Sequence, residues 1–262
     1  MADTLAAGLS GTAPLPTVRR IELADIGESL RRGYADFRLA PTHLVILGLV
    51  YPVVGLVLAR MASGAHALPL LYPLVAGFAL LGPFGAVGLY EMSRRREAGE
   101  PISLASALDI LRSPRIGAVL LLGVMLAGWF VAWLVAARLI YDAILPAASP
   151  ETIGDFLAPI LSTGAGLRLI VVGTLVGAGF AVVVLALGAV SFPMLVDRDV
   201  SPGQAVATSL RAALANPVPM AAWGAIVVAG MAIGAASLLV GMAVVMPVLG
   251  HATWHLYRRL VV

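Results

Sequence analysis

Residues 219–257 read PMAAWGAIVVAGMAIGAASLLVGMAVVMPVLGHATWHLY, with no Asp, Glu, Lys or Arg in the run. A bilayer core takes about 20 mostly apolar residues per helix. A run of 39 residues exceeds what tilting a single helix accommodates. It therefore reads as two spans, 219–239 and 241–257, broken near Val240 and Gly241.

Four further apolar stretches lie outward from it, at 42–60, 68–90, 116–140 and 169–190. Of the 262 residues, 60% are apolar and 12% charged, against about 45–50% and about 25% in soluble domains. One soluble core does not enclose that much apolar surface. Disordered chains, soluble enzymes and ordinary basic nucleic-acid-binding domains are excluded, and no nucleic-acid partner is expected. The fold class is an all-α polytopic membrane bundle of six helices with short interfacial amphipathic helices. Residues 1–20 are expected to be a flexible cytoplasmic N-terminus, and 21–259 a single integral membrane domain.

Arginine placement orients the bundle. All 17 basic residues are Arg. With the N-terminus in the cytoplasm, Arg19, Arg20, Arg31, Arg32 and Arg38 lie inside. Arg94, Arg95, Arg96, Arg112, Arg115, Arg198 and Arg211 follow, and a sixth span returns Arg258 and Arg259 to the same side. Arg60, Arg138 and Arg168 fall outside. Five spans would strand the terminal pair outside, so six are expected, with both termini cytoplasmic. The first twenty residues lack a basic segment followed by an apolar one, and no cleaved signal peptide is expected.

The inner segments carry helix signals. Asp25 and Glu28 have capping-box spacing, and Ile26, Leu30, Tyr34 and Phe37 then recur on one helical face. Ser103 can cap a short helix bearing Leu104, Leu108 and Leu111. Ser201, Pro202 and Gln204 open another, with Val206, Leu210 and Leu214 as its stripe. A proline follows each helix, at Pro41, Pro114 and Pro217. The even spans each hold a kink candidate: Pro83, Pro193 and Pro247. Together these suggest a weak threefold internal repeat of interfacial helix, span and Pro-bearing return span. In the outer loop, Ser149-Pro150-Glu151 precedes Phe156, Leu157, Ile160 and Leu161, which reads as a capped surface helix.

Several words carry a family resemblance: Ala35-Asp36-Phe37 with Pro41, Leu81-Gly82-Pro83-Phe84, and Gly88-Leu89-Tyr90-Glu91 leading into Ser93-Arg94-Arg95. Glu97-Ala98-Gly99-Glu100, Phe192-Pro193-Met194-Leu195, Asn216-Pro217 and Gly250-His251-Ala252-Thr253-Trp254-His255-Leu256-Tyr257-Arg258 continue it. On these the chain resembles the bacterial predicted integral membrane proteins called domain of unknown function 2189, sometimes labelled cytochrome c oxidase subunit I-like. The resemblance implies a multi-pass protein of the bacterial cytoplasmic (inner) membrane and carries over no activity. The oxidase label does not transfer, because that subunit uses more spans and more histidine ligands than a chain with four His provides.

His251 and His255 are four apart and are the weak candidates for a metal or haem site. Trp254, Tyr257, Arg258 and Arg259 surround them, which is the makeup of an interface anchor. The anchor is the preferred reading, and on it the histidines are dispensable for folding. Glu91, Arg94, Arg95 and Arg96 are further candidates for lipid headgroup contact. Gly173 with Gly177, and Gly230 with Gly234, permit close helix approach.

Spans one to five hold no ionisable residue near their centres, where ion-coupled transport needs one. No nucleotide, triad or zinc-protease motif is present. With no Cys, disulfides, thiolate metal sites and cysteine nucleophiles are excluded. The expectation is a non-catalytic accessory, assembly or lipid-organising protein without cofactor. Its expected partners are membrane lipids, with another membrane complex as a further candidate. Two alternatives stay open: a small-molecule or lipid transporter or channel built on the Pro-bearing spans, and a redox protein ligated through His251 and His255.

Overall fold

The computed structural model describes residues 15–39, 55, 68–145, 153–237 and 241–262. The expected span 42–60 apart from Gly55, Pro41, two of the four histidines (His43 and His66) and Ser149-Pro150-Glu151 lie outside the described residues, as does Arg60. Among the described residues, twelve α-helices follow in chain order: α1 Leu23–Leu39, α2 Leu71–Phe78, α3 Gly82–Gly85, α4 Val87–Glu97, α5 Leu104–Leu108 and α6 Ile116–Ile144. Then come α7 Ile153–Ser162, α8 Gly164–Gly188, α9 Ser191–Asp197, α10 Pro202–Ala215, α11 Pro217–Ala236 and α12 Met242–Leu260.

Among the described residues, three stretches are long and apolar enough to cross a membrane: Ile116–Ile144, Gly164–Asp197 and Pro217–Ala236. Their apolar side chains face outward, Leu121, Val124, Leu139, Leu175, Val182, Val228 and Ile233 among them. In water such a surface would be a large sticky patch; in lipid it is the solvated face. α12 is not a fourth of this kind. His251, His255, Arg258 and Arg259 break its hydropathy, and from Leu249 onward most of it is buried in protein.

Prolines shape the return helices differently. Pro83 sits in the four-residue α3, between a 3-10 turn at Ala79–Leu81 and a break at Ala86. Pro193 is the third residue of α9, just after the α8 helix ends. There Ser209 of α10 accepts from the Val190 N–H and donates to the Ala186 carbonyl, at 3.3 and 2.7 Å. Both groups are backbone polar groups that need a partner when buried. Pro247 lies inside the continuous α12.

The densest packing is at the arginine-rich end. α4, α9 and α12 pack against one another, and each carries an inner helix: α5 on α4, α10 on α9, α1 on α12. Small residues allow these approaches. A Cβ on Gly33 would come 2.5 Å from the Ala252 nitrogen, and one on Gly88 would come 3.0 Å from the Ala107 carbonyl. The expected close-packing glycines behave unequally. Gly177 receives the Trp133 ring, Gly230 meets Val245 and Leu249, Gly234 meets Met242, and Gly173 faces open space.

The helix starts refine the expected caps. Ser201 and Gln204 form the expected reciprocal box, and Ser103 forms one with Ser106. α1 begins at Leu23, two residues earlier than Asp25; Asp25 instead reaches back to accept from the Glu22 N–H at 2.9 Å. Glu28 turns to Arg31 and Arg32. The buried face of α1 is Ile26, Ser29, Gly33, Asp36 and Phe37, while Tyr34 is exposed. On α10 the buried face is Ala205, Thr208, Ser209 and Ala212, and Leu210 and Leu214 point outward. The expected apolar stripes are thus in part the outer faces, because the packed faces are made of small residues.

The N-terminal segment is not free along its whole expected length. Val18 bridges Val261, the Arg19 N–H donates to the Leu260 carbonyl at 2.8 Å, and Val262 donates back to Thr17 at 3.1 Å. Asn216 seals this corner. Its carboxamide accepts from the Ile21 N–H at 2.8 Å and donates to the Arg19 carbonyl at 2.9 Å.

Candidate functional site

The convergence of α1, α4 and α12 buries a polar cluster. Asp36 comes from α1, Ser93, Arg96 and Glu97 from α4, and His251 and His255 from α12. A close α1–α12 contact at Gly33 and Ala252 sets their spacing. Asp36 is 4% exposed, Ser93 1%, His251 1% and His255 6%.

Asp36 is the hub. Ser93 Oγ donates to its Oδ2 at 2.6 Å, His255 Nε2 lies 2.9 Å from the same oxygen, and Arg96 pairs with Oδ1. Ser93 Oγ also lies 2.7 Å from His251 Nδ1. A hydroxyl has one hydrogen. Since that hydrogen goes to the carboxylate, His251 must donate from Nδ1 and Ser93 must accept. His255 Nδ1 is 3.5 Å from Glu97 Oε1, and Arg258 is 3.1 Å from Glu97 Oε2.

Charge settles the protonation. Burial disfavours the Asp36 carboxylate, but hydrogen bonds from His255 and Ser93 and the nearby histidine charge outweigh it and hold its pKa below the ordinary value. Burial likewise opposes charge on His255, yet bonds to Asp36 and Glu97 prevail and raise its pKa. Glu97 is desolvated, and His255 and Arg258 still lower it. His255 thus favours its charged form, set between two carboxylates, Asp36 on α1 and Glu97 on α4.

Neighbouring pairs stitch the other helix ends. Tyr257 donates to Asp197 Oδ2 at 2.6 Å, and Arg258 reaches the same oxygen at 3.2 Å, joining α12 to α9. Glu91 holds Arg94 and Arg95 at 2.7 and 2.9 Å. Burial opposes its charge, and the two arginines lower its pKa nonetheless. Arg95 continues to Asp109 at 2.7 Å, beside α5. Arg259 pairs with Asp25 of α1.

The expected headgroup contacts therefore divide. Trp254 and Tyr257 have 0% exposure and Glu91 5%, so their side chains meet protein and leave no face for a lipid headgroup. The anchor reading is corrected for these three, because α1, α4 and α9 cover the part of α12 that was expected to face lipid. Arg94, Arg95, Arg96, Arg258 and Arg259 keep partial exposure. As for ligation, no group of three or more His, Cys, Asp or Glu among the described residues converges on a metal position. Asp36, Ser93 and Glu97 are the members that sequence reasoning missed. Asp36 carried a signal: it lies on the helical face that holds Ile26, Ser29 and Gly33, an acid where an amphipathic helix should be buried.

Residues 71–197 match the DUF2189 family of predicted integral membrane proteins. The matched stretch runs from α2 through α9. It contains Ser93, Arg96 and Glu97, and it excludes α1 and α12. No curated protein and no solved structure is significantly similar to the chain. With its outward apolar helices, the chain is a multi-pass protein of the bacterial inner membrane.

Proposed function

We propose that this chain is a non-catalytic scaffold of the inner membrane, an accessory or assembly protein that organises lipid or another membrane complex around a rigid charged head. The direction of the Ser93 hydrogen bonds carries the reading. A nucleophilic serine gives its proton to a histidine. Here the serine proton is committed to Asp36 and the histidine donates to the serine, both deeply buried. Such a network fastens three helices and offers no nucleophile to a substrate.

Topology supports the scaffold. The bridge between Val18 and Val261 supports a reading in which both ends of the domain lie on one side, which favours six crossings over five. The elements bearing fourteen arginines pack at that same end, which favours a cytoplasmic head under the positive-inside rule. The threefold reading gains support from a cyclic order. Each inner helix packs on the return helix of the preceding unit, and α1 closes the ring on α12. Outward Leu39, Leu108, Leu111, Leu210 and Leu214 give the inner helices an apolar edge to seat in the headgroup boundary.

The test is twofold. Crosslinking in native membranes followed by purification in mild detergent should recover a stoichiometric membrane partner or a defined lipid set. A fluorophosphonate serine-hydrolase probe should leave Ser93 unlabelled; labelling abolished by Ser93→Ala would overturn the scaffold and establish a hydrolytic serine.

A further inference from the structure

A second feature lies beside the buried cluster and stands independently of the scaffold reading. The extended segment before α1, α1 itself and the end of α12 enclose an open groove of about 480 Å³. Arg19, Arg20, Arg32, Arg258, Arg259 and His255 line it, together with the carboxylates Asp25 and Glu97. Three of these arginines are already matched: Arg32 to Glu28, Arg258 to Glu97 and Asp197, and Arg259 to Asp25. Arg19 and Arg20 differ. Among the described residues neither guanidinium has a carboxylate partner, and both are exposed. Their backbone is nonetheless held in place, since Arg19 is bonded on both sides, to Leu260 and to Asn216.

We propose that this groove binds a phosphate-bearing anion, received chiefly by Arg19 and Arg20. Two adjacent unmatched guanidiniums supply about two positive charges, the complement of a phosphate group. Guanidinium forks match phosphate oxygens in bidentate geometry. Arg32, Arg258 and Arg259 line the same groove, so its five arginines outnumber its two carboxylates, Asp25 and Glu97. The anchored backbone lowers the ordering cost of binding. The phosphate can belong to an anionic lipid headgroup or to a soluble molecule, and the chemistry of recognition is shared.

The experiment uses the full-length protein in a neutral detergent. Titration calorimetry measures inorganic pyrophosphate and short-chain phosphatidylglycerol, each alone and in competition. Saturable binding is expected, weakened about tenfold or more in Arg19→Gln/Arg20→Gln by loss of charge-assisted bonds. Arg211→Gln, an exposed arginine outside the groove, should leave affinity unchanged. Lipid binding that pyrophosphate does not displace identifies a headgroup site; binding of pyrophosphate alone identifies a soluble ligand. Either supports the proposal. Absence of saturable binding by both probes, or equal weakening by Arg211→Gln, overturns it. Because both substituted side chains are exposed, the double variant should melt like the parent. If it does not, Arg20→Glu alone serves, with the same tenfold loss expected.

Discussion

His255 Nε2 lies 2.9 Å from Asp36 Oδ2, across 219 residues of chain. This contact fastens α1, near the N-terminus, to the last helix, and Ser93 and Arg96 of α4 complete it on the same carboxylate. Removing one partner of a buried charged pair leaves the others uncompensated, at a cost of about 3–5 kcal/mol. Asp36→Ala is therefore expected to lower the melting temperature in detergent sharply. Trypsin should then cut at Arg31 and Arg32 as α1 undocks. Unchanged melting and protease resistance would show that the network does not hold the helix.

The histidine pair makes a related prediction, and it reverses the expectation from sequence that both are dispensable for folding. His251→Ala with His255→Ala should destabilise the head, because the two imidazoles are buried and bonded to Ser93 and Asp36. A double variant that melts like the parent would restore a peripheral role.

Stability should depend on pH in a defined window. The His255 pKa is raised above its ordinary value of 6.5. Its contribution is therefore complete below that value and is lost as pH rises through the raised folded-state pKa. The Asp36 and Glu97 pKa values are lowered from 3.8 and 4.5. Their contributions are complete above those values and are lost as pH falls through the lower folded-state pKa values. The network is thus strongest between the ordinary carboxylate and imidazole values. The protein should melt higher at about pH 6 than at about pH 9, and His255→Gln should flatten the alkaline decline. An alkaline decline of equal size in the variant would assign it to other groups.

Two glycines of α1 should respond oppositely to alanine. A Cβ at Gly33 would sit 2.5 Å from backbone nitrogen of Ala252, whereas one at Gly27 meets nothing within 4 Å. Gly33→Ala should cost about 1–3 kcal/mol through forced separation of the helices. Gly27→Ala should be stabilising by up to about 1 kcal/mol through helix propensity. Denaturation of both variants in mixed micelles checks the pair, and similar shifts would refute the close approach.

Asn216→Ala should release the N-terminal segment. The side chain is 2% exposed and satisfies the Ile21 N–H, the Arg19 carbonyl and the Ala212 carbonyl. Leaving buried backbone groups unmatched costs about 1–3 kcal/mol each. Amide hydrogen exchange over residues 18–21 should accelerate while exchange in α6 stays unchanged. Protection that persists in the variant would mean the Val18 bridge alone suffices.

Much of the architecture was legible in the chain alone. Long apolar runs over 116–140 and 169–190 dictate helices in lipid, because an unpaired backbone is too costly there. Ser103 and Ser201 mark helix starts because a hydroxyl can satisfy orphan N–H groups locally. Arg placement shows which segments gather on one side. These are properties of neighbours in sequence. The cluster was not legible, because its members come from 36, 93–97 and 251–255 and become neighbours only when α1 closes on α12. Trp254 and Tyr257 carry the residue types of an interface anchor, yet they are enclosed, because small residues at Gly33, Gly88 and Ala252 let the inner helices come close enough to cover them. Composition and period determined that the chain enters the membrane and where its helices begin. Helix-to-helix distance, set by those small residues, decided that the charged end is a packed core and that Asp36 stands at its centre.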